Sequence, residues 1–260
     1  MTTVYDIEQA IFQWAPKDAA MPGDNGGHLI GEQAKNVQRV LVALDITPEV
    51  VREAVEGKFD LIVSHHPVMN CTWSPVQTIR DDNVQGKMFI DLVRGGVSAI
   101  CMHTNLDAAV GGVNDVLAEK LGVKNVAVIE GGEGVVRAGE LTEEKTLQAF
   151  LAEVKTALQP NGIRYVDGGK PVHTVAVGGG ACGEFFRYAV QHGCDTFVTS
   201  DVKYNQFLDA KDLGLNLIDA GHFPTEDPVC EAVIDYLADR FPQLTIQKSI
   251  SHRETIQYYI

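Results

Sequence analysis

LIVSHHP, residues 61–67, is a short apolar run that ends in two adjacent histidines and a proline. The run has the length and composition of a buried strand, and Pro67 favours a break or turn at its end. Successive side chains of a continuing strand point to opposite faces, so adjacent histidines can share a metal only where the backbone turns. We predict that His65 and His66 are metal ligands, on one ion together or on one each of two close ions. The alternative is a pair of ordinary loop histidines.

Apolar runs alternate with turn signals along the rest of the chain, which is the pattern of an α/β protein. Thr47 and Pro48 are of the residue types that form a helix N-cap and a first helical position. Predicted strands cover residues 37–44, 59–63, 97–102, 123–129, 172–177, 196–199, 215–219, 245–249 and 255–259. Predicted helices cover residues 6–14, 48–56, 86–94, 114–121, 142–158, 184–192 and a segment from 225 or 227 to 240.

The second half of the chain repeats an arrangement of the first half. In the first half, predicted strands end in SHH (64–66) and in His103; in the second half, they end in SD (200–201) and in GH (221–222). Open α/β sheets bind their ligands beyond the carboxyl ends of the strands. Two similar halves would therefore carry facing sites at these strand ends, unless the short repeat arises by chance.

His103 and Asp107 follow one of these strands and form a second candidate cluster. The carboxylate of Asp107 is a hard oxygen ligand that can bridge two cations, and its alternative role is that of a turn residue or N-cap. His103 can be a third imidazole ligand, a group behind the ligands or a proton carrier.

His222 and Glu226 form the third candidate cluster. Their i,i+4 spacing would place both on one face of a helix, although Pro224 is expected to keep His222 outside the helix proper. The alternative role of Glu226 is to offset the helix dipole. Mixed imidazole and carboxylate ligands suit zinc, iron, manganese, nickel or cobalt.

Two further features of the second half concern anions and protons. The glycine run 178–180 follows a strand and precedes a helix, so its amides could receive an anion such as phosphate. Asp201 ends a strand and could serve as a base near the metals, or as a loop cap. Lys203 and Tyr204 nearby could contact an anionic ligand.

Composition argues against several classes of protein. The net charge of −14 repels a nucleic-acid backbone, so nucleic-acid binding is not expected. No apolar stretch has the length of a membrane span, and the N-terminus lacks the features of a secretory signal, so we predict a cytoplasmic protein. The five cysteines are scattered and form no CxxC pair, which argues against a thiolate zinc site.

Five motifs together make the chain resemble the Nif-three-like family, which is often labelled GTP cyclohydrolase I type 2. They are SHHP (64–67), HTNLDAAVGGVND (103–115), GGG (178–180), TSDVKYNQFLDA (199–210) and AGHFPTE (220–226). The chain departs from the family pattern in two places. GDNGGHL (23–29) lacks the tryptophan of a Trp-Asp-Asn-x-Gly-Leu-type segment, and Asn205 stands where many members have a histidine.

The resemblance implies a Nif-three-like fold of two α/β domains of related topology, which we place at residues 1–128 and 129–260. It implies two divalent metal ions per subunit in a dinuclear site between the domains, with His103 nearby. It also implies a homohexamer, built as a trimer of dimers. The ligands that the resemblance implies are His65, His66, Asp107, His222 and Glu226.

These features predict a metal-dependent hydrolase, similar to GTP cyclohydrolase type 2, that acts on a nucleotide or a related small molecule. A dinuclear site lowers the pKa of a bound water and stabilises developing negative charge. His103 and Asp201 are the candidate catalytic proton carriers. The alternative is a metal-binding interaction or regulatory protein without turnover.

Overall fold

The computed structural model describes residues 1–69 and 75–259 and has a mixed α/β fold with two β-sheets. The strands are β1 (Gly27–Ile30), β2 (Arg39–Ala43), β3 (Leu61–Ser64), β4 (Ser98–Cys101), β5 (Lys124–Val128), β6 (Arg137–Lys145), β7 (Arg164–Val166), β8 (Val172–Val177), β9 (Thr196–Thr199), β10 (Asn216–Asp219) and β11 (Thr245–Lys248). The helices are α1 (Val4–Trp14), α2 (Pro48–Glu56), α3 (Val84–Gly95), α4 (Thr104–Ala108), α5 (Val113–Lys120), α6 (Leu147–Leu158), α7 (Phe186–Gln191), α8 (Tyr204–Asp212), α9 (His222–Glu226) and α10 (Val229–Arg240). None of these described helices is long and apolar enough to cross a membrane.

The first sheet has the strand order β1-β4-β3-β2-β11. Strands β11, β2, β3 and β4 run parallel, and β1 is antiparallel to β4 at the edge. Every residue of β3 and β4 is buried, which is typical of parallel strands that are covered on both faces. On one face, Val51 of α2 and Phe89 of α3 join Ile62 and Ala99 in a single hydrophobic cluster.

The second sheet has the strand order β5-β6-β8-β9-β10-β7. Strands β8, β9 and β10 run parallel, β7 is antiparallel to β10 at one edge, and β5 and β6 extend the other edge in antiparallel pairing. The order β2-β3-β4-β1 in the first sheet thus recurs as β8-β9-β10-β7 in the second, with the same strand directions. This shared topology confirms the predicted repeat, because the repeated sequence segments are β3 and β9, and β4 and β10.

Capping residues predicted the start of α2 correctly, whereas one predicted helix start and one predicted strand were wrong. Thr47 caps α2 by accepting a hydrogen bond from the amide of Val50, with Pro48 at the first position, as predicted. The helix predicted from residue 142 begins instead at Leu147 after the N-cap Thr146, because residues up to Lys145 are held in β6 by pairing with β8. The strand predicted at 255–259 does not form.

The chain divides into two compact units. Unit 1 comprises Met1–Val110 and Cys230–Arg253, and unit 2 comprises Gly111–Val229 and Glu254–Ile260. This division differs from the one predicted at residue 128, because the chain returns to unit 1 through α10 and β11. There β11 pairs in parallel with β2, and the ring of Tyr236 on α10 stacks on Trp14 with centroids 4.5 Å apart.

Candidate metal centre

All four parallel strands of the first sheet end in polar side chains at the same sheet edge. Asp45 follows β2, His65 and His66 follow β3, and His103 follows β4. His252 lies four residues after the end of β11. This is the edge at which open α/β sheets bind ligands. Pairing in parallel register therefore explains why residues that are distant in sequence meet in unit 1.

Three imidazoles and one carboxylate form the centre of this cluster. The ring centroids of His65 and His66 are 4.9 Å apart, and that of His103 is 5.5 Å from His65 and 5.7 Å from His66. Nε2 of His65 lies 3.6 Å from Oδ1 of Asp107 on α4, and both residues are buried. Two ligand atoms of a tetrahedral ion, each about 2.1 Å from it, lie about 3.4 Å apart. The His65–Asp107 spacing is therefore suited to one shared metal ion.

A carboxylate outside the predicted set orients His66. Nδ1 of His66 lies 2.7 Å from Oδ1 of Asp45, whose other oxygen lies 2.9 Å from Nε2 of His252. Burial acts to raise the pKa of Asp45, but the hydrogen bonds from His252 and His66 outweigh it and hold the pKa well below its usual range. Because Asp45 is therefore an acceptor, we assign the proton of a neutral His66 ring to Nδ1, which leaves the lone pair on Nε2 for a metal.

His103 has the same support from Asp24. Its Nδ1 lies 2.7 Å from Oδ1 of Asp24, and the amide and hydroxyl of Thr104 donate to Oδ2 of the same carboxylate at 3.0 and 2.6 Å. Burial acts to raise the pKa of Asp24, but the hydrogen bonds from His103 and Thr104 keep it well below its usual range. The N-terminal segment that lacks the family's tryptophan therefore still supplies a side chain to the site. The other ring nitrogen of His103, Nε2, is the candidate ligand atom or proton acceptor.

His222 and Glu226 meet in unit 2 on the short helix α9. Nε2 of His222 lies 3.0 Å from Oε2 of Glu226, and Glu226 is buried. The expectation that Pro224 keeps His222 outside the helix was wrong, because His222 is the first residue of α9 and Pro224 the third. Proline is tolerated in a first helical turn, where its missing N–H has no intrahelical partner to lose.

Asp201 holds the other nitrogen of His222. Its Oδ2 lies 2.7 Å from Nδ1 of His222, and this hydrogen bond lowers the pKa of Asp201. Burial disfavours a charged His222, but the hydrogen bonds that its ring donates to Asp201 and Glu226 outweigh it and raise the pKa of His222 to about 11. Binding of a metal ion at Nε2 thus requires loss of a proton from that nitrogen.

The glycine turn after β8 gives room to the Glu226 carboxylate, and its amides are not available to bind an anion. The amides of Gly178, Gly179 and Gly180 already donate to the carbonyl of Val198, to Asn114 Oδ1 and to Thr225 Oγ1 at 3.0, 2.7 and 3.0 Å. The prediction that these amides receive a phosphate was therefore wrong. A side chain at Gly180 would displace the Glu226 carboxylate, since a Cβ atom there would lie 2.0 Å from Oε1 of Glu226.

The donor atoms in each unit are of the types that bind transition metals. His66, His103 and His222 each direct Nδ1 to a carboxylate, which is the usual arrangement of metal-binding histidines. Imidazole nitrogen with carboxylate oxygen suits zinc and its first-row neighbours better than calcium or magnesium.

The strand-end pattern in the sequence predicted the histidines at the centre of the cluster, and it missed Asp45 and His252, which lie behind His66. Asp45 carried the same signal, because it directly follows the apolar run 40–44.

Two repeated α/β units with carboxylate-supported histidines at their strand ends define the class of this protein, and sequence comparison gives its family. The chain matches the model of Duf34/NIF3 (NGG1p interacting factor 3) over residues 2–255 and belongs to that family. Curated relatives are named GTP cyclohydrolase 1 type 2 homolog. The one from Clostridium perfringens is 33% identical over 241 residues, covering 90% of this chain and 91% of the relative. The one from Streptomyces coelicolor is 34% identical over 254 residues, covering 92% and 88%.

Solved structures have the same fold. A Staphylococcus aureus hypothetical protein superposes with a TM-score of 0.90 at 28% identity, over 99% of each chain. A Bacillus cereus protein related to NIF3 superposes with a TM-score of 0.90 at 25% identity, over 100% of this chain and 99% of the other. The predicted family resemblance and α/β fold are thereby confirmed.

Proposed function

We propose that the chain is a metal-dependent hydrolase with two divalent ions per subunit. The proposed ligands are His65, His66 and Asp107 of unit 1 with His222 and Glu226 of unit 2. The observation that carries the proposal is the Nδ1–carboxylate hydrogen bond made by His66 and by His222, which makes Nε2 of each ring the proposed ligand atom. Zinc, iron, manganese, nickel and cobalt all accept such a set.

The side chains around the proposed ligands have separate tasks. When bound, a pair of metal ions lowers the pKa of a water molecule and stabilises the charge that develops on the substrate. Asp45 orients His66, and Asp201 holds the Nδ1 proton of His222. His103 is the proposed proton carrier, because its Nδ1 is fixed by Asp24 while its Nε2 can accept and return a proton. Proton transfer by Asp201 stays a prediction.

A nucleotide or a related small molecule is the proposed substrate class. It rests on the relatives' name, GTP cyclohydrolase 1 type 2 homolog, which contains the name of a nucleotide, GTP. The proposal extends to a homohexamer, a trimer of dimers, in the cytoplasm. Light scattering tests the assembly by its mass, which should be six times that of one chain.

A metal-binding interaction protein without turnover is the second candidate. The family description, an NGG1p interacting factor, names partner binding rather than a reaction. Such a protein would need the same ligands, because metal sites also stabilise folds and interfaces.

Metal analysis and a hydrolysis assay together test the proposal. We expect about two ions per chain in protein purified without chelator, as a dinuclear centre requires. We expect turnover of at least one member of a nucleotide panel, and loss of both metal and turnover in His66→Ala and Asp107→Ala. His192→Ala is the matched control, because His192 is exposed at the C-terminal end of α7, where its Nδ1 bonds to the carbonyl of Tyr188. Metal without turnover on any substrate favours the interaction protein, and no metal at all refutes the centre.

A further inference from the structure

The turn that follows β11 is held in place by a glutamate of helix α2. Glu53 of α2 accepts hydrogen bonds from the hydroxyl of Ser249 at 2.6 Å and from the amides of Ile250 and Ser251, each at 3.1 Å. The hydroxyl of Ser249 accepts in turn from the amide of His252 at 3.2 Å. The backbone of the turn that leads to His252 is therefore held by two side chains, those of Glu53 and Ser249.

The fixed turn delivers His252 to the carboxylate behind His66. Nε2 of His252 lies 2.9 Å from Oδ2 of Asp45, and Oδ1 of Asp45 lies 2.7 Å from Nδ1 of His66. The side chain of His252 is 10% exposed, whereas that of Asp45 is 40% exposed. The carboxylate is thus partly open to water, and His252 is the less exposed group that holds its second oxygen.

A carboxylate can support a metal-binding histidine only when one of its oxygens stays aligned with the ring N–H. An exposed aspartate that bonds to a single partner exchanges that partner with water and rotates about its side-chain torsions. With each oxygen bound to a different imidazole, both torsions of Asp45 are fixed, so His66 keeps one tautomer and one ring direction.

We propose that His252 is a positioning residue, which acts through Asp45 to fix the tautomer and direction of His66 for metal binding. The proposal rests on the proposed function, because it takes His66 to be a ligand. It assigns a role in the centre to the C-terminal turn of this chain.

Three variants of the full-length protein separate this role from a merely structural one. His252→Leu keeps much of the volume and removes the donor. His252→Gln keeps an N–H donor at about the position of Nε2. His192→Leu is the matched control at an exposed histidine. Zinc affinity is measured by competition with a chelator, and the ligand field is recorded by visible absorption of the cobalt-loaded protein.

We expect His252→Leu to weaken zinc binding about tenfold, the lower end of the range for groups that support metal ligands. We expect its cobalt spectrum to change, and His252→Gln and His192→Leu to stay within about twofold of the parent affinity.

Three results separate failure of this inference from failure of the proposed function. Parent-like affinity and spectrum in His252→Leu overturn the inference and leave the metal centre intact. Equal losses in His252→Gln and His252→Leu also overturn it, since the donor then plays no part. A parent protein that binds no zinc or cobalt refutes the proposed centre itself, and with it the inference.

Discussion

Gly180 contacts the Glu226 carboxylate so closely that the residue type at this position controls a proposed ligand. An added Cβ would lie 2.0 Å from Oε1 of Glu226 and 3.1 Å from Nε2 of His222, and Gly180 has a positive φ of 62°. In Gly180→Ala we expect the flexible carboxylate to move rather than the fold to fail. Zinc affinity should fall at least tenfold, while the left-handed backbone adds about 1–2 kcal/mol of destabilisation.

Gly193→Ala is the matched control for this prediction. Gly193 has a φ of 77° and no atom within 4 Å of an added Cβ. It should therefore show the same loss of unfolding free energy in urea titrations, with unchanged zinc affinity. Equal zinc affinities in the two variants would contradict the role of Gly180.

Single residues differed in how far the sequence could predict their roles. His65 and His66 directly follow an apolar strand, and His103 and Asp107 lie in the segment after another, so the strand-end rule predicted them as a group. His252 could not be found in this way, because its position depends on Glu53, 196 positions before Ser249 in the chain. A hydrogen bond over that separation leaves no periodic or spacing pattern in the sequence.

At the scale of elements, Glu53 joins the end of α2 to the turn after β11. Burial acts to raise its pKa, but the hydrogen bonds from Ser249, Ile250 and Ser251 outweigh it and lower the pKa. A carboxyl whose pKa is lowered by folding stabilises the protein above its unfolded pKa of about 4.3. That stability is lost as the pH falls through the lower folded value.

We expect Glu53→Gln to reduce the unfolding free energy at pH 7 by about 1–2 kcal/mol, since charge-assisted hydrogen bonds are replaced by neutral ones. The difference from the parent should shrink as the pH falls below about 4. Urea titrations at several pH values measure it, with Glu56→Gln on the exposed side of α2 as the control. A deficit that does not change with pH would show that the charge of Glu53 is not responsible.

A helix start could be predicted where the capping residues were not also part of a strand. Thr47 and Pro48 gave the start of α2 correctly, because no strand competes for those residues. Thr142 with two following glutamates resembles a helix start equally well, yet these residues lie in β6. Strand pairing supplied by distant residues outweighs a helix-capping preference worth about 1 kcal/mol.

At the scale of the whole molecule, the repeat was predictable and the division into units was not. The repeat shows as similar polar ends on similar apolar runs, and it corresponds to β2-β3-β4-β1 and β8-β9-β10-β7. The division depends on β11, whose residue Thr245 pairs with Arg39 from the other end of the chain. A strand that completes a distant sheet has the same local pattern as one that pairs with its neighbours.

The ligands that we propose for the centre come from both units, and on that proposal the metal should stabilise the chain only when both sets are intact. At a metal concentration about 100 times the dissociation constant, one site adds about 2.7 kcal/mol to the stability of the folded state. For a chain of this size we expect zinc to raise the unfolding temperature by roughly 5–10 °C over chelator-treated protein.

His66→Ala removes a proposed ligand of unit 1 and His222→Ala removes one of unit 2, and each variant should lose most of this rise in unfolding temperature. His192→Ala should retain it in the same calorimetric scans. A full rise in His222→Ala would mean that unit 1 binds the metal by itself, and the proposed centre would then have to be reduced to the ligands of the first sheet.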